Sequence, residues 1–111
     1  LAVAFLSISS INAKKRDAIR VTNMTEIFKA LALYQNQAQK YPTYTGNITG
    51  SDSMSTTLQN AGTISKIPTD PLASYNYTYT SSNGATFTLE FCLETTSIKG
   101  YSQGCGNTIS P

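Results

Sequence analysis

The sequence predicts an α+β fold, in which one long N-terminal α-helix packs against a small antiparallel β-sheet that carries one disulfide. Three observations lead there. Residues 1–41 hold no Gly and no Pro, and the first breaker is Pro42. Residues 75–80 and 85–93 alternate in side-chain character and are joined by Ser82-Asn83-Gly84, a tight-turn sequence. Two cysteines, Cys92 and Cys105, are an even count in a small polar chain of 111 residues and read as one disulfide formed in an oxidising compartment. Two free core thiols are the alternative, and Cys105 between Gly104 and Gly106 counts against it.

The helix has two regimes. Its start, with Leu1, Val3, Phe5, Leu6, Ile8 and then Ile11, is apolar around much of its circumference and runs into Lys14-Lys15-Arg16. A bilayer span takes ~20 apolar residues. The expectation is that this run is the remainder of a longer membrane segment, with an ordinary core helix as the alternative. Further on, Val21, Met24, Phe28 and Leu31 recur at helical spacing, and Ile27 and Tyr34 widen the stripe. The division expected is a protruding tail over residues 1–20 and a head over 21–111. Removing residues 1–16 should then leave a folded head.

Tyr41-Pro42-Thr43 is the expected end of the helix. Residues 43–74 form a long polar connection. Within it a short helix is expected at about 53–61, capped by Ser51-Asp52-Ser53, with Met54 and Leu58 on one face and Gly62 as its stop. The Tyr75, Tyr77, Tyr79 face of the first strand reads as packing with wet hydroxyl ends. On the second strand Ala85, Phe87, Leu89, Phe91 and Leu93 point inward, and Cys92 points outward. A short edge strand is expected at 107–111. A hairpin alone is not stable. Its cover is the stripe of the helix, so the expected head core is Val21, Met24, Ile27, Phe28, Leu31, Tyr34, Phe87, Leu89 and Phe91.

The charge is uneven. Residues 1–40 balance at +4, and residues 41–111 at −2, within a net +2. The basic tail suggests phospholipid head groups or acidic neighbours. The acidic head offers nothing to a nucleic-acid backbone, so no nucleic acid is expected. There is no His, which removes the usual general base and metal ligand. The isolated Lys66 and Lys99 make a Ser-Lys pair a weak reading. Glu90 and Glu94 read as the solvated face of a strand. Asp70 with nearby Thr and carbonyl oxygens is the one place for calcium. The expectation is a building block and not an enzyme, with no metal and no cofactor. Three Asn-x-Thr sequons, at Asn23, Asn47 and Asn76, carry little weight at this composition.

Taken in order, Leu1-Ala2-Val3-Ala4-Phe5, Asn12-Ala13-Lys14-Lys15-Arg16-Asp17-Ala18, Ile27-Phe28-Lys29-Ala30-Leu31-Ala32-Leu33-Tyr34, Gln39-Lys40-Tyr41-Pro42-Thr43 and Pro68-Thr69-Asp70-Pro71 followed by Tyr75-Asn76-Tyr77-Thr78 resemble a type IV pilin or a type II secretion pseudopilin. The Cys92 and Cys105 pair resembles the disulfide-bounded loop of many pilins. The family's processing site and N-terminal acidic residue have no counterpart among these residues. The resemblance implies a pilin-like roll and a structural subunit of an extracellular type IV pilus, a homo-oligomeric helical filament on the cell surface. It implies anchoring in the inner membrane before assembly, and dependence on a pilus or secretion assembly machinery. The alternatives are the major pseudopilin of a type II secretion system, which a calcium ion in the head would favour, and an adhesive or DNA-binding minor pilin. In such a filament the side of the helix turned from the sheet faces other subunits. On that side Leu33 interrupts Thr22, Glu26, Lys29, Gln37 and Lys40, with small Ala30 adjacent, so Leu33 and Ala30 are the expected subunit contact.

Overall fold

The first helix, α1, runs Ala2–Ala38 over 37 residues. At 1.5 Å per residue it spans ~55 Å, which matches the molecule's longest dimension of 55 Å against 24 and 19 Å across. The computed structural model describes residues 2–111, with side chains from Ile8 onward. The expectations for Leu1, Val3, Phe5 and Leu6 as membrane or filament residues lie outside the described residues or side chains.

α1 stops three residues before the expected Tyr41. Gln39 takes a left-handed conformation (φ 62°) and its N–H donates to the Gln35 carbonyl at 2.8 Å. The chain then turns back on the sheet. The Tyr41 ring meets Phe87 edge-on at 4.8 Å, and the Pro42 carbonyl accepts from the Tyr79 hydroxyl at 2.7 Å. Ending the helix early is what brings both groups over the hairpin.

The sheet is a four-stranded antiparallel meander in the order β1-β2-β3-β4, with β1 Tyr44–Asn47, β2 Thr78–Ser81, β3 Thr88–Leu93 and β4 Gly104–Ile109. β1 was not foreseen. It lies in the polar connection, is four residues long, and is recruited by β2, with Tyr44 opposite Ser81. The hairpin strands are shorter than their alternation suggested: a wider turn delays β3 to Thr88, and β2 begins only at Thr78, after Tyr75 and Tyr77. The Ser81 hydroxyl donates to the Thr86 carbonyl and accepts from the Gly84 N–H, and Gly84 sits at φ 78°. A Cβ at Gly84 would lie 2.9 Å from the Tyr41 carbonyl oxygen, so the turn needs glycine to pack on the end of the helix. Ala85 is left exposed in this turn, contrary to its expected inward place. β4 begins before the expected 107–111, because Cys105 is bonded to Cys92 and draws the strand alongside β3.

The short helix α2, Ser53–Asn60, falls where its cap predicts. The Asp52 carboxylate accepts from the Ser55 N–H at 3.0 Å and from the Thr49 N–H at 2.8 Å. Met54 and Leu58 close one end of the core with Ile48 and Ile67.

The core lies between α1 and the sheet. Met24, Ile27, Leu31, Phe87, Leu89 and Phe91 are buried as expected. Val21, Phe28 and Tyr34 are only half-buried at its rim, since the sheet is too narrow to cover the whole stripe. Phe87 is the hub, with Phe28 edge-on at 5.7 Å and Tyr79 stacked at 5.8 Å. The Tyr77 and Tyr79 hydroxyls are buried rather than wet, while Tyr75 is only half-buried. The Tyr77 hydroxyl accepts from Asn23 Nδ2 at 2.8 Å, and burial pushes its pKa up to about 12.

Candidate functional site

Arg16 and Arg20 lie one turn apart on the same side of α1, where two cations repel unless carboxylates meet them. Three do. Arg20 Nε and Nη2 donate to Asp70 at 2.8 and 2.9 Å, and its Nη1 donates to Asp17 at 2.9 Å and to Glu94 at 2.7 Å. Arg16 Nη2 donates to the other oxygen of Glu94 at 2.7 Å. Asp17 also accepts from the Glu94 N–H, the Thr95 N–H and the Thr95 hydroxyl, at 2.9, 2.9 and 2.6 Å. The Tyr75 ring lies 4.9 Å from the Arg20 guanidinium.

The Arg20, Asp17 and Asp70 side chains are fully buried, and Glu94 is nearly so. Burial by itself opposes the charge on Arg20, but its hydrogen bonds to Asp70, Glu94 and Asp17 outweigh that and raise its pKa. Burial likewise works against ionised Asp17, yet the bonds from Thr95, the Glu94 N–H and Arg20 leave its pKa lowered. The Arg16 guanidinium, with Arg20 behind it, holds Glu94 down at about 2. No buried side-chain nitrogen or oxygen among the described residues lacks a partner. A buried ion cluster satisfied to this degree fixes geometry. It clamps the helix to the loop after β3 on one side and to the Asp70 turn on the other.

This cluster bears on three readings of the sequence. The tail does not end at residue 20, because Arg16, Asp17 and Arg20 belong to the head. Removing residues 1–16 would take away Arg16 and its bonds to Glu94 but leave Arg20 in place on the same carboxylate. Glu94 is not a solvated strand residue but a buried acceptor beyond the end of β3. Asp70, the one place the sequence offered for calcium, is instead taken up by Arg20 and by the Leu72 N–H at 2.8 Å. The acidic neighbours of the basic segment are, for two of its cations, carboxylates of its own head.

The opposite face of α1 carries the second feature. Ile8, Ile11, Ile19 and Leu33 are 59, 51, 46 and 51% exposed. At 100° per residue they fall within an arc of roughly 80°, a single stripe along nearly the whole helix. Lys15, Thr22 and Glu26 share that arc, and all three are exposed. Ala30 does not belong there. It is 2% exposed and packs in the core, because at 100° per residue it falls just outside the outer arc, beside buried Asn23 and Ile27. The expected contact pair thus reduces to Leu33. Beside the stripe, Met24, Phe28, Tyr101 and Ile109 line an apolar groove along the β4 edge.

Fold and surface together define an α+β head clamped to a long helix that keeps an apolar outer stripe. Among the described residues no helix is long and apolar enough to cross a membrane. No family model, no curated protein and no solved structure matches the chain.

Proposed function

We propose that this chain is a structural subunit of an extracellular type IV pilus filament, assembled through its N-terminal helix and held in the inner membrane before assembly. The observation that carries the reading is the division of labour on α1. One face is locked to the head by a buried ion cluster and a hydrophobic core. The other presents Ile8, Ile11, Ile19 and Leu33 to the outside. Apolar side chains spaced along ~40 Å of one rod are costly to leave in water and suit burial against other rods. The Cys92–Cys105 bond supports a place outside the cytoplasm. Exposed Lys14 and Lys15, which make no ion pair among the described residues, suit the boundary of an anionic membrane.

The test is electron microscopy of filaments sheared from cells that make the protein, with mass identification of their subunit. The reading expects this chain as a filament component. Filaments that lack it, or a chain recovered only as a free soluble monomer, would overturn it.

A further inference from the structure

The fold sorts the three Asn-x-Thr sequons, which composition alone leaves equal. We propose that Asn47 is a glycan acceptor, the one of the three that is both exposed and within reach of a transferase. The proposal goes beyond the filament reading. It shares with it only a place for the head outside the cytoplasm, which the Cys92–Cys105 bond supports.

A transferase that reads Asn and Thr two residues apart needs both side chains on one side of the chain. Residues i and i+2 share a face of an extended strand but stand ~200° apart on a helix. Asn23 lies in α1, is 9% exposed, and its Nδ2 donates to the Tyr77 hydroxyl at 2.8 Å. A sugar there would displace the core. Asn76 is exposed, but Tyr77 beside it is fully buried. Thr78 then opens β2, where it is paired on both sides, with Asn47 of β1 and Glu90 of β3. Its hydroxyl is half-buried and donates to Glu90 Oε1 at 3.3 Å. Presenting that sequon means pulling out the middle of the sheet.

Asn47 ends β1, the edge strand at the far side of the sheet from β4. Asn47 and Thr49 are both exposed. The Asn47 side chain makes no hydrogen bond among the described residues, while its backbone carbonyl accepts from the Tyr44 hydroxyl at 2.9 Å. The Thr49 hydroxyl lies 3.3 Å from that of Ser51 and 3.5 Å from Asp52 Oδ1, both weak contacts. The segment is held by Ile48, whose N–H donates to the Tyr77 carbonyl at 2.8 Å, and by the Thr49 N–H on Asp52. Gly46 and Gly50 flank it, so it can swing out from the edge while β2 and β3 stay paired. The transfer joins Asn47 Nδ2 to the anomeric carbon of a sugar carried on a polyprenyl diphosphate. The bond from that carbon to the phosphate oxygen breaks, polyprenyl diphosphate leaves with the electron pair, and one amide proton goes to a base of the transferase. Nothing is oxidised or reduced. The bulky polar product covers the open edge of β1, which otherwise offers unpaired backbone groups to a strand of another chain.

The test is peptide mapping by mass spectrometry of the protein isolated from the cells that make it. The peptide holding Asn47 should exceed the mass of the bare chain by whole sugar residues, and those holding Asn23 and Asn76 should not. Asn47→Gln and Thr49→Ala should each abolish the increment. Thr49→Ser should keep it, because a serine hydroxyl satisfies the same sequon. Thermal melting checks each fold, and the wild-type map decides even where a variant fails to fold. An unmodified Asn47 in the wild-type protein, a sugar on Asn23 or Asn76, or an increment that survives Thr49→Ala would overturn the proposal. The filament reading is tested separately, by the presence of the chain in filaments, and stands or falls without the sugar.

Discussion

Between residues 16 and 33 the two faces of one helix are built from different chemistry. The inner face spends its polar groups completely. Arg16 and Arg20 meet three carboxylates, Asn23 meets Tyr77, and Met24, Ile27, Ala30 and Leu31 fill the space under the sheet. The outer face spends nothing within the molecule. Ile19 and Leu33 stand apart, with Glu26 between them unpaired in the described structure. The difference teaches that stability and assembly are written on opposite sides of the same residues, so mutations on the two sides should have effects that do not mix.

The largest stability effect should come from the centre of the inner face. Arg20→Ala leaves Asp17 and Asp70 buried without their counter-ion, and removing one partner of a buried pair costs ~3–5 kcal/mol. Urea denaturation should show that loss as a lower midpoint. A drop of under ~1 kcal/mol would mean that the cluster is solvated and the inner face is not the lock described here.

The disulfide comes next. Cys92→Ser with Cys105→Ser opens a loop with twelve residues between its ends, worth ~3 kcal/mol in the chain-entropy model. The loop also holds Glu94 and Thr95, so the double variant should loosen the clamp as well. Hydrogen exchange at the Glu94 and Thr95 amides, both donors to Asp17, should accelerate before that of the Tyr79 amide.

Acid should act on the inner face, through Glu94 and Asp17, and on the Asp52 cap of α2. The Glu94 pKa in the folded protein is depressed to about 2, from about 4.5 for a free side chain. A depressed carboxylate stabilises fully above its unfolded pKa. That contribution is lost as pH falls from about 4.5 through about 2. It amounts to ~1–3 kcal/mol after allowance for the partly exposed Arg16. Glu94→Gln should flatten the slope of stability against pH in this window, and a slope equal to wild type would assign the acid response to other groups.

Legibility in the sequence followed the length over which a pattern repeats. The long helix, the hairpin, the capped short helix and six of the nine expected core residues rest on periodicity or on a local hydrogen bond, and these could be read directly. β1 could not, because Tyr44–Asn47 is only four residues, holds a glycine, and exists only through its pairing with β2. The end of α1 was misplaced because a left-handed Gln39 has no compositional signature. Apart from the Asp17–Arg20 pair, the ion cluster joins residues separated by 50 to 78 positions, which no window along the chain can see. Its local traces were Arg16 and Arg20 four apart on a face and Asp17 three residues before Arg20, with an acidic head to answer them. Ala30 went wrong for a simpler reason. On an ideal helix it lies near the edge of the outer arc, and a small side chain packs under either side of such a boundary.

The smallest expected change in stability gives the most direct test, because it belongs to the outer face. Leu33→Asp places a charge where the head makes no contact, so the melting temperature should move by no more than a surface substitution allows, within ~0.5 kcal/mol. The same variant should sharply reduce filament yield in cells that hold wild-type amounts of subunit. Unchanged melting with few or no filaments is the result expected of a helix with separate faces. Wild-type filament numbers would contradict a contact role for the outer stripe, and a collapsed head would show Leu33 to be core.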